Sequence, residues 1–342
     1  MSISYQSFLL RLRKLAKIAL AEYGLEDTKI RFINYSGNGL YQVSVSPGGP
    51  ISEGMYALRL HQPNYMKPEF IASEMEWLSA LHRNGIVVPK PVRNQGGEWL
   101  TIADGGYDAP QKRSCTLIGW THGRLLKKSI RPKHFRSLGR VVGMMHKQSK
   151  TWKYPKIFSR PHWDWEGLFG DGFSYGTPAS EVREAIPKAH QVAFNETLNL
   201  VHEVSEQMGK NKKVYGLIHA DLGVGDNVAF RAGEAHPFDF DDCGFGYWVF
   251  DLGVVLAHYF IDSNDSNPRV RDAMIDGYQE TAALENIGME YLDIFTAARI
   301  AQIMFFYQAS GLAHPEHLDA ARREINDHAK YLKRILKIIK KK

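Results

Sequence analysis

Leu217-Ile218-His219-Ala220-Asp221-Leu222-Gly223-Val224-Gly225-Asp226-Asn227-Val228-Ala229-Phe230, followed shortly by Pro237-Phe238-Asp239-Phe240-Asp241-Asp242, is the stretch that decides the fold. Short apolar runs lead into and out of each acidic cluster, so each carboxylate sits where a strand meets a turn. Strand ends hold polar groups rigidly, which a reaction site needs. A lone His-x-Asp pair is common, and an acid cluster such as Asp239, Asp241 and Asp242 is by itself more often a solvated loop. Taken together, in this order and on strand ends, the two segments point to catalysis.

The chain around this stretch falls into two unlike parts. Before residue 120 the pattern is a sheet with one inserted helix. Residues 30–33, 40–45 and 55–60 read as strands, separated by Ser36-Gly37-Asn38-Gly39 and by Pro47-Gly48-Gly49-Pro50. A helix is expected from about Pro68 to Arg83, with Ile71, Met75, Leu78 and Leu81 on its buried face. Residues 87–92, 98–102 and 115–120 are further extended runs. Ahead of them, Leu12, Leu15, Ala16, Ala19 and Tyr23 fall on one face of an amphipathic segment poor in acids. It reads as a helix packed on the domain or as a transit peptide. After residue 120, helical periodicity dominates at 132–149, 179–209, 267–284, 290–312 and 316–341. The expectation is an α+β chain with a nucleotide-binding part over 1–119 and a helical part over 120–342 that carries the acidic loops.

Phosphoryl transfer asks little of a protein. One carboxylate orients the attacking hydroxyl and accepts its proton, and an Asp and an Asn hold magnesium beside the phosphates. Hard oxygen ligands suit that ion. Asp221 is the candidate base, Asn227 and Asp239 are the candidate ligands, and His219 is the residue that braces the loop. His219-x-Asp221, then Asn227, then Asp239-Phe240-Asp241-Asp242 resembles the aminoglycoside phosphotransferase superfamily. That group includes homoserine, choline and fructosamine kinases and a stress-response protein kinase. The resemblance implies a two-lobed, protein-kinase-like fold, ATP and Mg2+ as cofactors, and these same roles for Asp221, Asn227 and Asp239. It extends to Tyr247–Leu252, where Asp251 matches the family's helix whose Asp pins the catalytic loop. It also extends to 117–124, where Ile118 and Trp120 are implied neighbours of adenine.

Two positions depart from the pattern. Five residues separate Asp221 from Asn227 where the family has four, so Asp226 falls at the usual position of the second ligand. Asn227 is preferred because an apolar run starts directly after it, and Asp226 stays an alternative. In Tyr56-Ala57-Leu58-Arg59-Leu60, Arg59 stands where a protein kinase has Lys. It can contact phosphates, pair with Glu74 on the inserted helix, or be a surface charge. The Ser36–Gly39 glycines fit a phosphate loop or a plain turn. Trp163-Asp164-Trp165-Glu166 interleaves aromatics with acids. Trp163 and Asp164, with Asp242, are candidate acceptor contacts; the other reading is a helix cap with core aromatics.

Composition excludes several classes. The formal net charge is +6, from 43 Lys and Arg against 37 Asp and Glu, and much of the excess lies at the two ends. No zinc-finger or RNA-binding motif accompanies it, so nucleic acid is not the expected partner. Two cysteines make no disulfide framework, and no apolar run is long enough to span a bilayer. A cytoplasmic enzyme is expected, with nothing in the chain that sets an oligomeric state. The basic amphipathic stretch at Ala329, Leu332, Leu336 and Ile339 reads as a packed terminal helix or a membrane-surface helix. The expected activity is transfer of the γ-phosphoryl group to a hydroxyl of an aminoglycoside, homoserine or choline-like acceptor. A Ser/Thr protein kinase of the stress-response type is the rival, but only the short run between Asp242 and Asp251 is available for an activation segment. A non-catalytic nucleotide-binding protein is the third reading.

Overall fold

The computed structural model describes residues 4–106, 112–127, 129–173, 176–264, 267–282 and 288–341. The chain divides into two compact units, one of Met1–His122 with Tyr154–Ser159, the other of Gly123–Lys153 with Arg160–Lys342. The junction expected at 119/120 therefore falls a few residues later, and the stretch 154–159 returns to the first unit. Ser159 is tied there by its backbone N–H, which donates to Ser73 Oγ at 2.9 Å.

The first unit opens with helix α1 (Tyr5–Ala21), capped by Ser4, whose hydroxyl accepts from the Ser7 N–H. Its apolar face is Leu12, Leu15, Ala16, Ala19 and Leu20, all fully buried. They pack on an antiparallel sheet of β1 (Ile30–Ser36), β2 (Asn38–Val45), β3 (Gly54–Leu60), β4 (Pro91–Val92), β5 (Thr101–Ala103) and β6 (Arg113–Gly119). The spatial order is β1-β2-β3-β6-β4, with β5 pairing a separate part of β6. Leu58 lies opposite both Tyr41 and Leu117, so alternate residues of three strands meet α1 in one core. The β1–β2 connection is tighter than the four-residue turn expected at 36–39. Ser36 pairs directly with Asn38 around Gly37, which takes φ 93° at no Cβ penalty. Helix α2 (Pro68–Arg83) has the expected bounds, with Pro at its start and its apolar stripe buried.

The second unit holds β7 (Arg124–Leu125), α3 (Pro132–Thr151), β8 (His162–Trp163), α4 (Trp165–Phe169), α5 (Ala179–Ala185) and α6 (Lys188–Met208). Then come β9 (Tyr215–Ile218), β10 (Val228–Arg231), β11 (Glu234–Pro237), β12 (Gly244–Tyr247) and α7 (Trp248–Ser263). Helices α8 (Pro268–Gln279), α9 (Leu292–Ala313) and α10 (Leu318–Ile339) complete it. The single helical stretch expected at 179–209 is two helices, because Pro187 cannot continue α5 and instead stands at the N-cap of α6. The helix expected over 267–284 ends at Gln279, and 283–284 lie outside the described residues. Helix α7 carries no amphipathic period because it is buried on all sides for most of its length.

Two small sheets carry the acidic loops. One has the order β11-β10-β7, the other β8-β12-β9, with β8 parallel to β12 and β9 antiparallel to it. Among the described residues no helix is long and apolar enough to cross a membrane. Helix α10 buries Ala329, Leu332 and Leu336 in the second unit, as a packed terminal helix does.

Candidate active site

Strand β9 delivers His219 and Ala220 to the first turn of α7, where Asp251 waits fully buried. Its Oδ2 accepts the His219 N–H at 3.0 Å and its Oδ1 accepts the Ala220 N–H at 2.8 Å. Ala220 has φ 69°, a left-handed conformation that a non-glycine residue keeps only when its surroundings impose it. The carboxylate supplies that constraint. His146 of α3 contacts Asp251 Oδ2 through Nε2 at 3.0 Å, and its Nδ1 meets the Tyr278 hydroxyl at 2.9 Å. Burial alone would raise the Asp251 pKa; the His146 contact and the loop N–H groups outweigh it and hold the pKa below the usual range.

The His219 ring lies inside the loop rather than on its surface. Its Nε2 donates to the Phe238 carbonyl at 3.1 Å, and it packs on the Phe240 ring with centroids 4.3 Å apart. Burial pushes its pKa down, which keeps the imidazole neutral. This bridge joins the loop after β9 to the loop after β11, and Asp239 sits between its two anchor points. Asp239 is exposed and left-handed at φ 63°.

Asn227 ends the first loop at the start of β10. Its Oδ1 accepts the Gly223 N–H at 2.6 Å, while its Nδ2 donates to the Asp221 carbonyl and stands 3.3 Å from Asp221 Oδ2. Asn227 is buried against Asp221, whereas Asp226 faces solvent.

Asp221 is the point where these contacts converge. Arg299 of α9 forms an ion pair with its Oδ1, and His258 of α7 brings Nε2 to 3.6 Å of the same oxygen. Burial would raise this carboxyl, but Arg299 first and His258 second bring it down to about 2. Asp242 goes the other way. Burial, then the charges of Asp221 and Asp241, push it up to about 7. Two neighbouring carboxyls with opposite shifts are a pattern of acid–base sites.

The backbone beneath these acids is clamped. Arg160 donates to the carbonyls of Asp241 and Cys243, and Trp163 Nε1 donates to that of Asp242 at 2.7 Å. Trp163 and Asp164 therefore have the geometry of the cap-and-core reading. Asp164 is the N-cap of α4, accepting from the Gly167 N–H at 2.9 Å, and its other oxygen pairs with Lys210 at 2.7 Å.

In the first unit, Arg59 on β3 pairs with Glu74 on α2 at 2.6 Å, both side chains buried. Ile118 is buried on β6 opposite Ala57 and Pro91, and the Trp120 N–H donates to the Met55 carbonyl at 2.9 Å. The second unit thus brings His219, Asp221, Asn227 and Asp251 into one hydrogen-bonded cluster, with Asp239 at its edge. Four participants escaped the sequence reading: Arg299, His258, His146 and Arg160. Arg299 had a signal, being a cation inside the apolar run Phe295–Phe306. Such a charge is rarely buried without a partner.

Asn227 Oδ1, which accepts the Gly223 N–H, and the exposed Asp239 carboxylate are hard oxygens of the kind a divalent cation takes. Among the described residues no group of three or more His, Cys, Asp or Glu side chains could hold a metal ion, so the remaining ligands would be phosphate oxygens and water.

The profile of the phosphotransferase enzyme family matches residues 41–289, most of the chain. The chain belongs to this family. It is 27% identical to the amicoumacin kinase of Bacillus subtilis (strain 168) over 332 residues, 90% of each protein. It is 20% identical to the hydroxylysine kinase of Bos taurus over 261 residues, 73% of this chain and 68% of that protein. Among solved structures it is similar to a microcompartment-associated aminopropanol kinase, with TM-score 0.77, 25% identity, and coverage of 96% of this chain and 98% of that one. An amicoumacin kinase in complex with AMP-PNP, Ca2+ and Ami matches with TM-score 0.69 at 21% identity, covering 95% and 96%. This phosphotransferase therefore has the protein-kinase-like α+β fold that the motifs implied, and it is an enzyme of the small-molecule kinase type.

Proposed function

We propose that this phosphotransferase moves the γ-phosphoryl group of ATP, with Mg2+, to the hydroxyl of a small amino alcohol in the cytoplasm. The observation that carries the reading is the seating of Asp221 at the end of a loop whose backbone is fixed by Asp251 and whose far end is closed by Asn227. Asp221 is the base: its carboxylate is ionised at neutral pH, orients the acceptor hydroxyl and takes its proton as the bond to phosphorus forms. Asn227 and Asp239 are the cation ligands, and the cation would neutralise charge on the transferring phosphoryl group. Asp226, turned to solvent, is the less suited alternative to Asn227. His219 and Asp251 brace the loop. Arg59, paired with Glu74, is the phosphate-contacting cation of the first unit, and Ile118 and Trp120 are the adenine neighbours.

The acceptor class is supported by charge. The charges of Asp221 and Asp241 raise the Asp242 carboxyl, and an ammonium group beside the hydroxyl would favour its charged form. Asp242 is the proposed acceptor contact, while Trp163 supports its loop by donating to the Asp242 carbonyl. The names of the relatives, aminopropanol kinase and hydroxylysine kinase, agree with this class. Cys115 and Cys243 are both buried, which agrees with a reducing compartment.

The test is ADP release from MgATP across a panel of amino alcohols, aminoglycosides and a generic protein substrate. Wild type should turn over at least one amino alcohol and leave the protein unlabelled. Asp221→Asn should lose about 10²- to 10⁴-fold in kcat while still binding nucleotide. Full turnover by that variant, or label on protein alone, would overturn the proposal.

A further inference from the structure

Arg299 stands in the middle of α9, nine-tenths buried among apolar side chains. A guanidinium in that position is destabilising unless its partners are fixed. Its partners are three polar side chains. Nη2 meets Asp221 Oδ1 and lies 3.2 Å from His258 Nε2, and Nη1 donates to Gln302 Oε1 at 2.9 Å. The fork therefore spans from α9 itself, through α7, to the loop that follows β9. The anchors of that loop described above act elsewhere. Asp251 holds the backbone of residues 219 and 220, and Asn227 reaches the Asp221 carbonyl and Oδ2. Oδ1 is contacted instead by Arg299 and, more distantly, by His258.

We propose that Arg299 is the positioning residue of the phosphoryl-transfer reaction, setting the orientation of the Asp221 carboxylate toward the acceptor hydroxyl. This rests on the reading of Asp221 as the base. Within the loop, Asn227 Nδ2 restrains Oδ2 at 3.3 Å but leaves rotation about the Asp221 side-chain bonds partly open, and the side chain is 29% exposed. The guanidinium closes that freedom because a planar fork holds two partners at a defined angle. A lysine ammonium, a point charge on a flexible stem, cannot hold Asp221 and Gln302 together. Gln302, one helical turn along α9, keeps the fork in plane.

The experiment uses the full chain. ADP release from MgATP is measured with water as acceptor and with the panel compound that wild type turns over fastest. Arg299→Gln should lower kcat about 100-fold, the loss that a displacement of about 1 Å produces, with KM for ATP unchanged. Arg299→Lys should recover less than about a tenth of the wild-type rate, because charge without the fork does not orient. In a double-mutant cycle, Arg299→Gln should change the residual rate of Asp221→Asn less than about threefold, since both act through one carboxylate. Wild-type kcat in Arg299→Gln, or losses that multiply in the double variant, would overturn the proposal. Where Arg299→Gln fails to fold, Arg299→Lys decides, and wild-type kcat in that variant overturns it as well. An inactive Asp221→Asn beside a fully active Arg299→Gln removes this inference alone; a fully active Asp221→Asn removes the base reading beneath it.

Discussion

At the scale of the residue, the site is a set of buried charges whose surroundings push them apart. Asp242 is raised to about 7 by burial and by its acidic neighbours. A raised carboxyl holds its proton more tightly in the folded state. Its contribution to stability is complete below the ordinary carboxylate value near pH 4 and is lost as pH rises through about 7. The unfolding free energy of the apoprotein should therefore fall over that window, and Asp242→Asn should flatten the fall in urea titrations run at several pH values. Asp251 has the opposite sign. Its depressed pKa contributes stability that is present above the carboxylate range and lost as pH drops toward the folded value. Asp251→Leu would leave the His219 and Ala220 N–H groups and His146 without their acceptor, and should cost about 3–5 kcal/mol by denaturant unfolding. The acids themselves were legible because His219, Asp221, Asn227, Asp239 and Asp251 keep a recognisable order along the chain. Arg299 and His146 were not, because each reaches the cluster from a helix far away in sequence, and His258 was not, because it lies two turns beyond Asp251 on α7, outside the matched segment Tyr247–Leu252.

At the scale of the element, glycines decide how two helices of the second unit meet. A Cβ at Gly277 of α8 would run into the Arg136 carbonyl of α3, and a Cβ at Gly139 of α3 would run into the Met274 carbonyl of α8. The two backbones approach closely only because both positions lack a side chain. Gly277→Ala should destabilise by about 1–3 kcal/mol, visible as a lowered thermal midpoint. It should also move His146 and Tyr278, which flank the crossing, and so weaken the Asp251 anchor. In the first unit the Arg59–Glu74 pair joins β3 to α2. Removing one member, as in Glu74→Gln, leaves a buried uncompensated cation and should cost about 3–5 kcal/mol, whereas replacing both by apolar residues of similar volume should cost much less. Helix α2 and the strands were readable from period alone. Helix α7 was not, since an element buried on every side shows no amphipathic alternation, and its match came through Asp251 instead.

At the scale of the whole molecule, each unit completes its own core from segments distant in sequence. Helix α1 covers the six-stranded sheet. Deleting residues 1–22 should expose Leu58, Leu60 and Leu117 and yield an aggregated or protease-sensitive chain, read by limited proteolysis of the purified protein. By itself the sequence determined the α+β class, the bounds of α2, the apolar face of α1 and the order of the acidic loop residues. Those features depend on local period, on turn chemistry and on motifs confined to short spans. Only the tertiary structure decided that Asn227 points inward and Asp226 outward, that Trp163 braces the acidic loop while Asp164 caps α4, and that Arg299 meets Asp221. Each of those outcomes depends on which distant backbone a side chain happens to face, and that is set by the packing of helices whose own sequences say nothing about their neighbours.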